Sequence, residues 1–237
     1  MTFKLTARGA WRGRLSAVDE QLLIPLKRNK GHHIGLRIQS RGSFPLVSVE
    51  TRSGDVLLDP IAFDRNKAVT GLLDPALATS ESLVARVSMQ AGRTGRFQLR
   101  LNDQGNLASI RRQVIRRTNR VRQRRGLDPL TGNRRLHAAA QGHVDDMETV
   151  GRYLGHDSSD GRTLSDRIDA SGYRWRSIRE NAASKQLSPR EVVKGWMGSS
   201  GHRANLLAAD VSEIGVGFAV DDATGETYWI QKFAAPL

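Results

Sequence analysis

The run Trp196-Met197-Gly198-Ser199-Ser200-Gly201-His202-Arg203-Ala204-Asn205 decides how the C-terminal half of this chain is read. It joins a large aromatic residue to a patch of small ones and ends on a histidine with Gly201 directly before it. Glycine beside a histidine lets backbone or a ligand approach closely. The helix that leads into the run has a start legible in the sequence. Ser188 stands at the N-cap, Pro189 in the first turn and Glu191 at the capping-box spacing. Taken alone, His202 reads as a structural histidine sooner than as a functional one.

Outward from the run the hydrophobic period changes. Towards the C-terminus, strands are expected at 214–220 and 227–233, joined through Asp221-Asp222-Ala223-Thr224-Gly225. Towards the N-terminus, Ile110, Val114, Thr118 and Val121 recur every three to four residues, so a helix begins near Leu107. Further helices are expected at about 133–150 and 164–170, the last before Ser171-Gly172. Helices first and strands last make an α+β domain, a helix-flanked antiparallel sheet, over 107–237.

The first hundred residues have a period of two. Ile34, Leu36 and Ile38 alternate with Gly35, Arg37 and Gln39, as Leu83, Ala85, Val87 and Met89 do with Val84, Arg86 and Ser88. Turn signals at 29–31, 41–43, 53–55 and 92–95 separate these strands. Short strands so spaced predict an all-β sandwich over 1–104.

Composition bounds the rest. The 237 residues are 38% hydrophobic and 26% charged, a globular balance, and no stretch is long and apolar enough for a spanning helix. The absence of cysteine removes disulfides, thiolate nucleophiles and Cys-based metal sites together. The first residues lack the apolar core of a signal peptide, so the chain is read as a mature region whose signal peptide is removed or omitted. A net charge of +13, shared almost equally by the two halves, favours anionic surfaces: nucleic acid, anionic lipid or acidic wall polymer.

The densest charge lies on the helix that begins near Leu107. Arg111, Arg112, Arg116, Arg117, Arg120, Arg122, Arg124 and Arg125 occur without an acidic residue among them. One reading is binding to phosphate groups, with Arg111, Arg112, Arg116, Arg117, Arg120 and Arg124 as the contact residues. The other is a solvated helix face with one arginine held structurally. Aromatic residues are 5% of the chain, too sparse for base-stacking platforms, which weakens a nucleic-acid role.

Among the histidines, His137 and His143 lie six apart on one helix and cannot share an i,i+4 metal pair. His143 reads as packed or hydrogen-bonded near its helix end. His156, in Leu154-Gly155-His156-Asp157, shares with His202 a polar setting of small residues.

The elements Asn119-Arg120-Val121-Arg122, Gln141-Gly142-His143-Val144-Asp145-Asp146-Met147, His156, Asp160-Gly161-Arg162-Thr163, Glu180-Asn181, the Trp196 run, Glu213-Ile214-Gly215-Val216-Gly217-Phe218 and Trp229-Ile230-Gln231-Lys232-Phe233 occur in order. This order and spacing resemble the cysteine-free bacterial branch of the CAP superfamily (cysteine-rich secretory, antigen 5 and pathogenesis-related-1 proteins). The segment before it resembles the bacterial pre-peptidase C-terminal β-sandwich, through Gly13-Arg14-Leu15-Ser16 and Thr94-Gly95-Arg96-Phe97-Gln98-Leu99. That family is attached to exported enzymes and envelope proteins, so a secreted, periplasmic or envelope location is expected.

The CAP resemblance implies an α-β-α sandwich with a central cleft, in which His156, Glu180 and His202 fall at family cleft positions. A second family glutamate falls at Ser199, where this chain has none, so the four-residue cage is incomplete. Ser199, Asn181 and His143 are further candidates. The cleft then has three readings: His156 and His202 holding a divalent cation such as zinc or magnesium, an acid–base pair, or a hydrogen-bonded network that fixes loops. A serine-protease geometry does not follow from Ser199 lying near His202 in sequence. The expected function is a secreted or envelope protein that binds lipid, wall polymer or another extracellular ligand through a His/Glu cleft, without catalysis; an anionic envelope component is the expected partner. The alternatives are a metal-assisted, peptidase-like hydrolase using His156, Glu180 and His202, and a basic nucleic-acid binder.

Overall fold

The computed structural model describes residues 3–5, 10–15, 21–26, 32–41, 45–51, 56–62, 69–73, 83–89, 95–221, 224 and 226–237. The chain divides into two compact units, Met1–Asn106 with Asp222–Gly225, and Leu107–Asp221 with Glu226–Leu237. Among the described residues no helix is long and apolar enough to cross a membrane.

The first unit contains β1 (Phe3–Leu5), β2 (Ala10–Leu15), β3 (Leu22–Leu26), β4 (His33–Arg41), β5 (Pro45–Thr51), β6 (Val56–Ala62), β7 (Val69–Leu73), β8 (Leu83–Met89) and β9 (Gly95–Gly105). They form two antiparallel sheets, in the orders β1-β2-β9-β4-β7 and β3-β8-β5-β6. Both sheets feed one apolar core: Leu15, Ile38, Phe97 and Leu99 from the first, Ile24, Val49, Ala85 and Val87 from the second. The period of two in the sequence is therefore the inward and outward alternation of a two-sheet β unit. The turn residues 29–31, 42–43, 53–55 and 92–94, and Ser16 of the Gly13–Ser16 motif, lie outside the described residues.

The second unit is built from α1 (Leu107–Gln123), β10 (Thr131–Gly132), α2 (Arg134–Thr149), α3 (Leu164–Ala170), β11 (Trp175–Ser184), α4 (Pro189–Gly198), α5 (Ser200–Leu206), β12 (Glu213–Val220) and β13 (Thr227–Pro236). The sheet order is β10-β12-β13-β11, antiparallel except for the short β10–β12 pair. On β13, Tyr228, Ile230 and Ala234 pack against α2. Gln231, which faces the other way, donates from Nε2 to Thr118 Oγ1 of α1 at 2.9 Å. Helices thus cover both faces, giving the expected α-β-α arrangement.

Helix ends follow local chemistry. Ser188 accepts from the Glu191 N–H at 3.2 Å, as the sequence predicts, but the Glu191 carboxylate accepts from the Leu187 N–H instead of closing the box on Ser188. A complete capping box forms at Thr163 and Asp166. One element departs from the sequence reading: Trp175–Ser184 is a full ten-residue strand. His202 lies in the first turn of the short helix α5.

The contact between α2 and β12 runs through backbone. A Cβ on Gly215 would lie 2.1 Å from the carbonyl carbon of Leu136, and one on Gly217 would lie 2.2 Å from the Ala140 oxygen. Neither neighbour is a side chain that can turn away. Gly217→Ala is therefore expected to cost about 3 kcal/mol or more, at or above the usual range for overpacking. Urea denaturation checks this, with Gly142→Ala, an exposed position inside α2 that meets nothing within 4 Å, expected to stabilise by about 0.5–1 kcal/mol instead.

Candidate functional site

Glu180 on β11 stands in register with Lys232 on β13, so strand pairing itself brings carboxylate and ammonium together. Lys232 is fully buried and donates from Nζ to Glu180 Oε2. Arg167 of α3, also buried, reaches both carboxylate oxygens from Nη2 at 3.4 Å. His156 completes the shell by donating from Nδ1 to Oε1 at 2.9 Å. Its own side chain is 58% exposed, whereas that of Glu180 is 2% exposed, so the imidazole forms the outer face of a buried charge cluster.

The protonation states follow from this packing. Burial alone would raise the Glu180 carboxyl, but the His156 hydrogen bond and the Lys232 and Arg167 charges outweigh it and hold the group at about 2. Burial pushes Lys232 down to about 8, against the attraction of Glu180. His156 is raised, chiefly by its hydrogen bond to Glu180. His202 is lowered, chiefly by burial and then by the charge of His156.

Arg167 also shapes the loop that carries His156. It donates to the carbonyls of His156 and Arg162 at 2.7 Å each and to Ser158 Oγ at 3.0 Å. His143, fully buried on α2, donates from Nε2 to the Gly155 carbonyl at 3.0 Å. Gly155 itself sits at φ +73°, the left-handed region that favours glycine. Because a carbonyl only accepts, the His143 proton is on Nε2, and the buried Nδ1 is left without a partner.

On the other side of β11, Asn181 and Asn205 tie in the Trp196 run. Asn181 donates from Nδ2 to the His202 carbonyl at 3.1 Å. Asn205 donates from Nδ2 to the Glu180 carbonyl at 2.8 Å and to Asn181 Oδ1 at 3.0 Å, and Trp196 Nε1 donates to the Ala182 carbonyl at 3.3 Å. Ser199 N-caps α5 without a side-chain bond, and neither it nor Ser200 is paired with a base among the described residues.

His156 and Glu180 are thus in direct contact, with His202 nearby, Asn181 behind it and His143 beneath the Gly155 turn. The two residues sequence reasoning missed are Lys232 and Arg167. A trace of the first is visible: Lys232 interrupts an apolar alternation at an inward position between Ile230 and Ala234.

The donor set does not fit a divalent cation. Both Glu180 oxygens already carry cationic donors, so a metal there would have to displace Lys232. Among the described residues no three His, Asp or Glu side chains gather in a metal-holding group.

The α1 arginines separate into two sets. Arg111 is corrected from the surface set, because it donates to the Val216 carbonyl at 2.9 Å and to Gln141 Oε1 at 2.8 Å. Arg122 is buried and donates to the carbonyls of Asp128, Leu206 and Ala208.

The family model described as CAP, the cysteine-rich secretory protein family, matches residues 115–233. The chain belongs to this family. It is a cysteine-free member. Similar curated proteins are the uncharacterized protein YkwD of Bacillus subtilis (strain 168), 33% identical over 128 residues, and the uncharacterized membrane protein YlbC of the same organism, 32% identical over 122. These matches cover 54% and 52% of this chain, and 48% and 33% of the relatives, so the chain spans half or less of their length. Among solved structures, an extracellular protein containing an SCP domain from Bacillus anthracis str. Ames is 23% identical with a TM-score of 0.48, covering 90% of this chain and 66% of that one. An outer surface protein from Borrelia burgdorferi is 20% identical with a TM-score of 0.47, covering 52% of this chain and 90% of that one.

Two outcomes test the cluster. The folded-state value of Glu180 lies below its ordinary 4.5, so its contribution to stability is complete above that pH and lost as pH falls towards about 2. Thermal unfolding across that window should show a decline that Glu180→Gln makes shallower, the remainder coming from other depressed carboxyls such as Asp210. Glu180→Gln strands two buried cations and should cost about 3–5 kcal/mol at neutral pH. Lys232→Met, which leaves the carboxylate to Arg167 and His156, should cost less than half of that in urea denaturation.

Proposed function

We propose that this CAP protein is a secreted or envelope-associated binding protein that takes an anionic group of a lipid or wall polymer at its His156–His202 cleft, without catalysis. The observation that carries this reading is the commitment of Glu180. Both of its oxygens accept from cationic side chains, which hold the carboxyl far below its usual range and keep it ionised at neutral pH. What remains for a ligand is a cationic balance: Lys232, Arg167 and a raised His156 around one carboxylate. An anion at the exposed imidazole offsets that excess. The pre-peptidase-like reading of the N-terminal unit supports an exported context.

A hydrolase using His156, Glu180 and His202 has one observation in its favour. The two imidazoles are shifted in opposite directions, the pattern of an acid and a base. It lacks a nucleophile, since Ser199 and Ser200 are unpaired with any base among the described residues.

Binding of phosphatidylglycerol vesicles and of a soluble anionic wall-polymer preparation separates the two. His156→Ala should weaken one of them about tenfold or more, about 1.4 kcal/mol, with the fold intact and no turnover of peptide or ester substrates. Affinity should also fall as pH rises through the raised His156 value, because the imidazolium is then lost. Turnover that His156→Ala abolishes would establish the hydrolase; no saturable binding of either probe would overturn the binding role.

A further inference from the structure

Once Arg111 and Arg122 are set aside, the side chains of the remaining arginines in the basic segment make no hydrogen bond or ion pair among the described residues. Arg112, Arg116, Arg120, Arg124 and Arg125 are exposed and Arg117 is half-buried. The segment from Leu107 to Leu127 contains no acidic residue at all. Arg190 of α4 joins the group from a neighbouring helix. Arg117 is pushed down first by its burial and then by the charges of Arg116, Arg120 and Arg190 together. Its Nε is buried with no partner. Arg117 thus lies among like charges from two helices, and Arg116 and Arg120, four apart on α1, are the like-charge spacing that disfavours a helix.

From Arg112, Arg116, Arg120 and Arg117, with Arg190 beside them, we infer a docking surface for a linear, base-free phosphodiester polymer of the cell envelope. Arg112, Arg116 and Arg120 are spaced four apart on a regular helix, so they rise about 6 Å per step along one slowly turning face. Such a ladder suits a chain of regularly repeated anions better than a single small one. Every cation of this segment is arginine and none is lysine. The planar fork of arginine matches phosphate oxygens two at a time.

Two competing partners fit less well. α1 holds no aromatic residue on which single-stranded bases would stack. Its large apolar residues are buried (Ile110, Val114) or half-buried (Leu107, Ile115, Val121), so the helix has no exposed apolar face to insert into a bilayer. The surface is separate from the His156 cleft, and the inference does not rest on the binding role proposed for that cleft.

The test uses the full chain with inorganic polyphosphate as the probe, titrated at several salt concentrations beside duplex DNA and phosphatidylglycerol vesicles. Wild type should bind polyphosphate with an affinity that falls steeply with salt. Arg116→Glu/Arg120→Glu should weaken that binding at least tenfold without lowering Tm, since the change removes repulsion. Arg134→Glu/Arg135→Glu, which makes the same change in net charge on exposed positions of α2, should weaken it less than threefold. Equal losses in both variants would mean that only net charge matters and would overturn the site. Tighter binding to duplex DNA or to vesicles than to polyphosphate would overturn the partner, and no binding of polyphosphate would overturn both.

Discussion

The pair of Glu180 and Lys232 is the constraint around which the second unit is organised. The two residues are strand partners, so β11 and β13 must keep their register for the charges to meet. A slip of β11 by one residue would turn Glu180 to the face opposite Lys232 and leave two ions without each other. Buried pairs of this kind contribute little net stability beside an apolar replacement, but breaking one is costly. The pair thus specifies an arrangement more than it strengthens one. Arg167 extends that specification outward, since the guanidinium that touches Glu180 also holds the carbonyls of the His156 loop.

Most of the secondary structure was legible because period and capping agreed. Ile110, Val114 and Thr118 marked the buried face of α1, and Ser188 with Pro189 marked the start of α4. β11 was not legible. Trp175-Arg176-Ser177-Ile178-Arg179-Glu180-Asn181-Ala182-Ala183-Ser184 has no clean alternation, because it lies at the margin of the sheet and spends its polar residues on the site. Asn181 and Glu180 read as a motif without a strand beneath them. Lys232 and Arg167 were missed for a related reason. A charged residue in an apolar strand signals burial with a partner, but the partner lies 52 positions away in one case and 13 in the other, and only the fold brings them together.

The arginines of one helix show how far residue type falls short of role. Arg111 donates to the backbone of β12, Arg122 closes the helix end onto three carbonyls, and the side chains of Arg116 and Arg120 have no partner among the described residues. Their sequence contexts are almost interchangeable. Angular position on the helix is what divides them: Arg122 falls on the same stripe as Ile110, Val114 and Thr118, and Arg120 does not.

β11 is the outermost strand of its sheet, and outermost strands offer free acceptors to any passing chain. Here two of those acceptors, the carbonyls of Glu180 and Ala182, are taken by the side chains of Asn205 and Trp196. The two ends of the Trp196–Asn205 run therefore do the work of an absent fifth strand. They cap part of the sheet edge with side-chain donors in place of a backbone ladder. A run whose glycines and histidine suggest function is, at its ends, the device that keeps this sheet from growing.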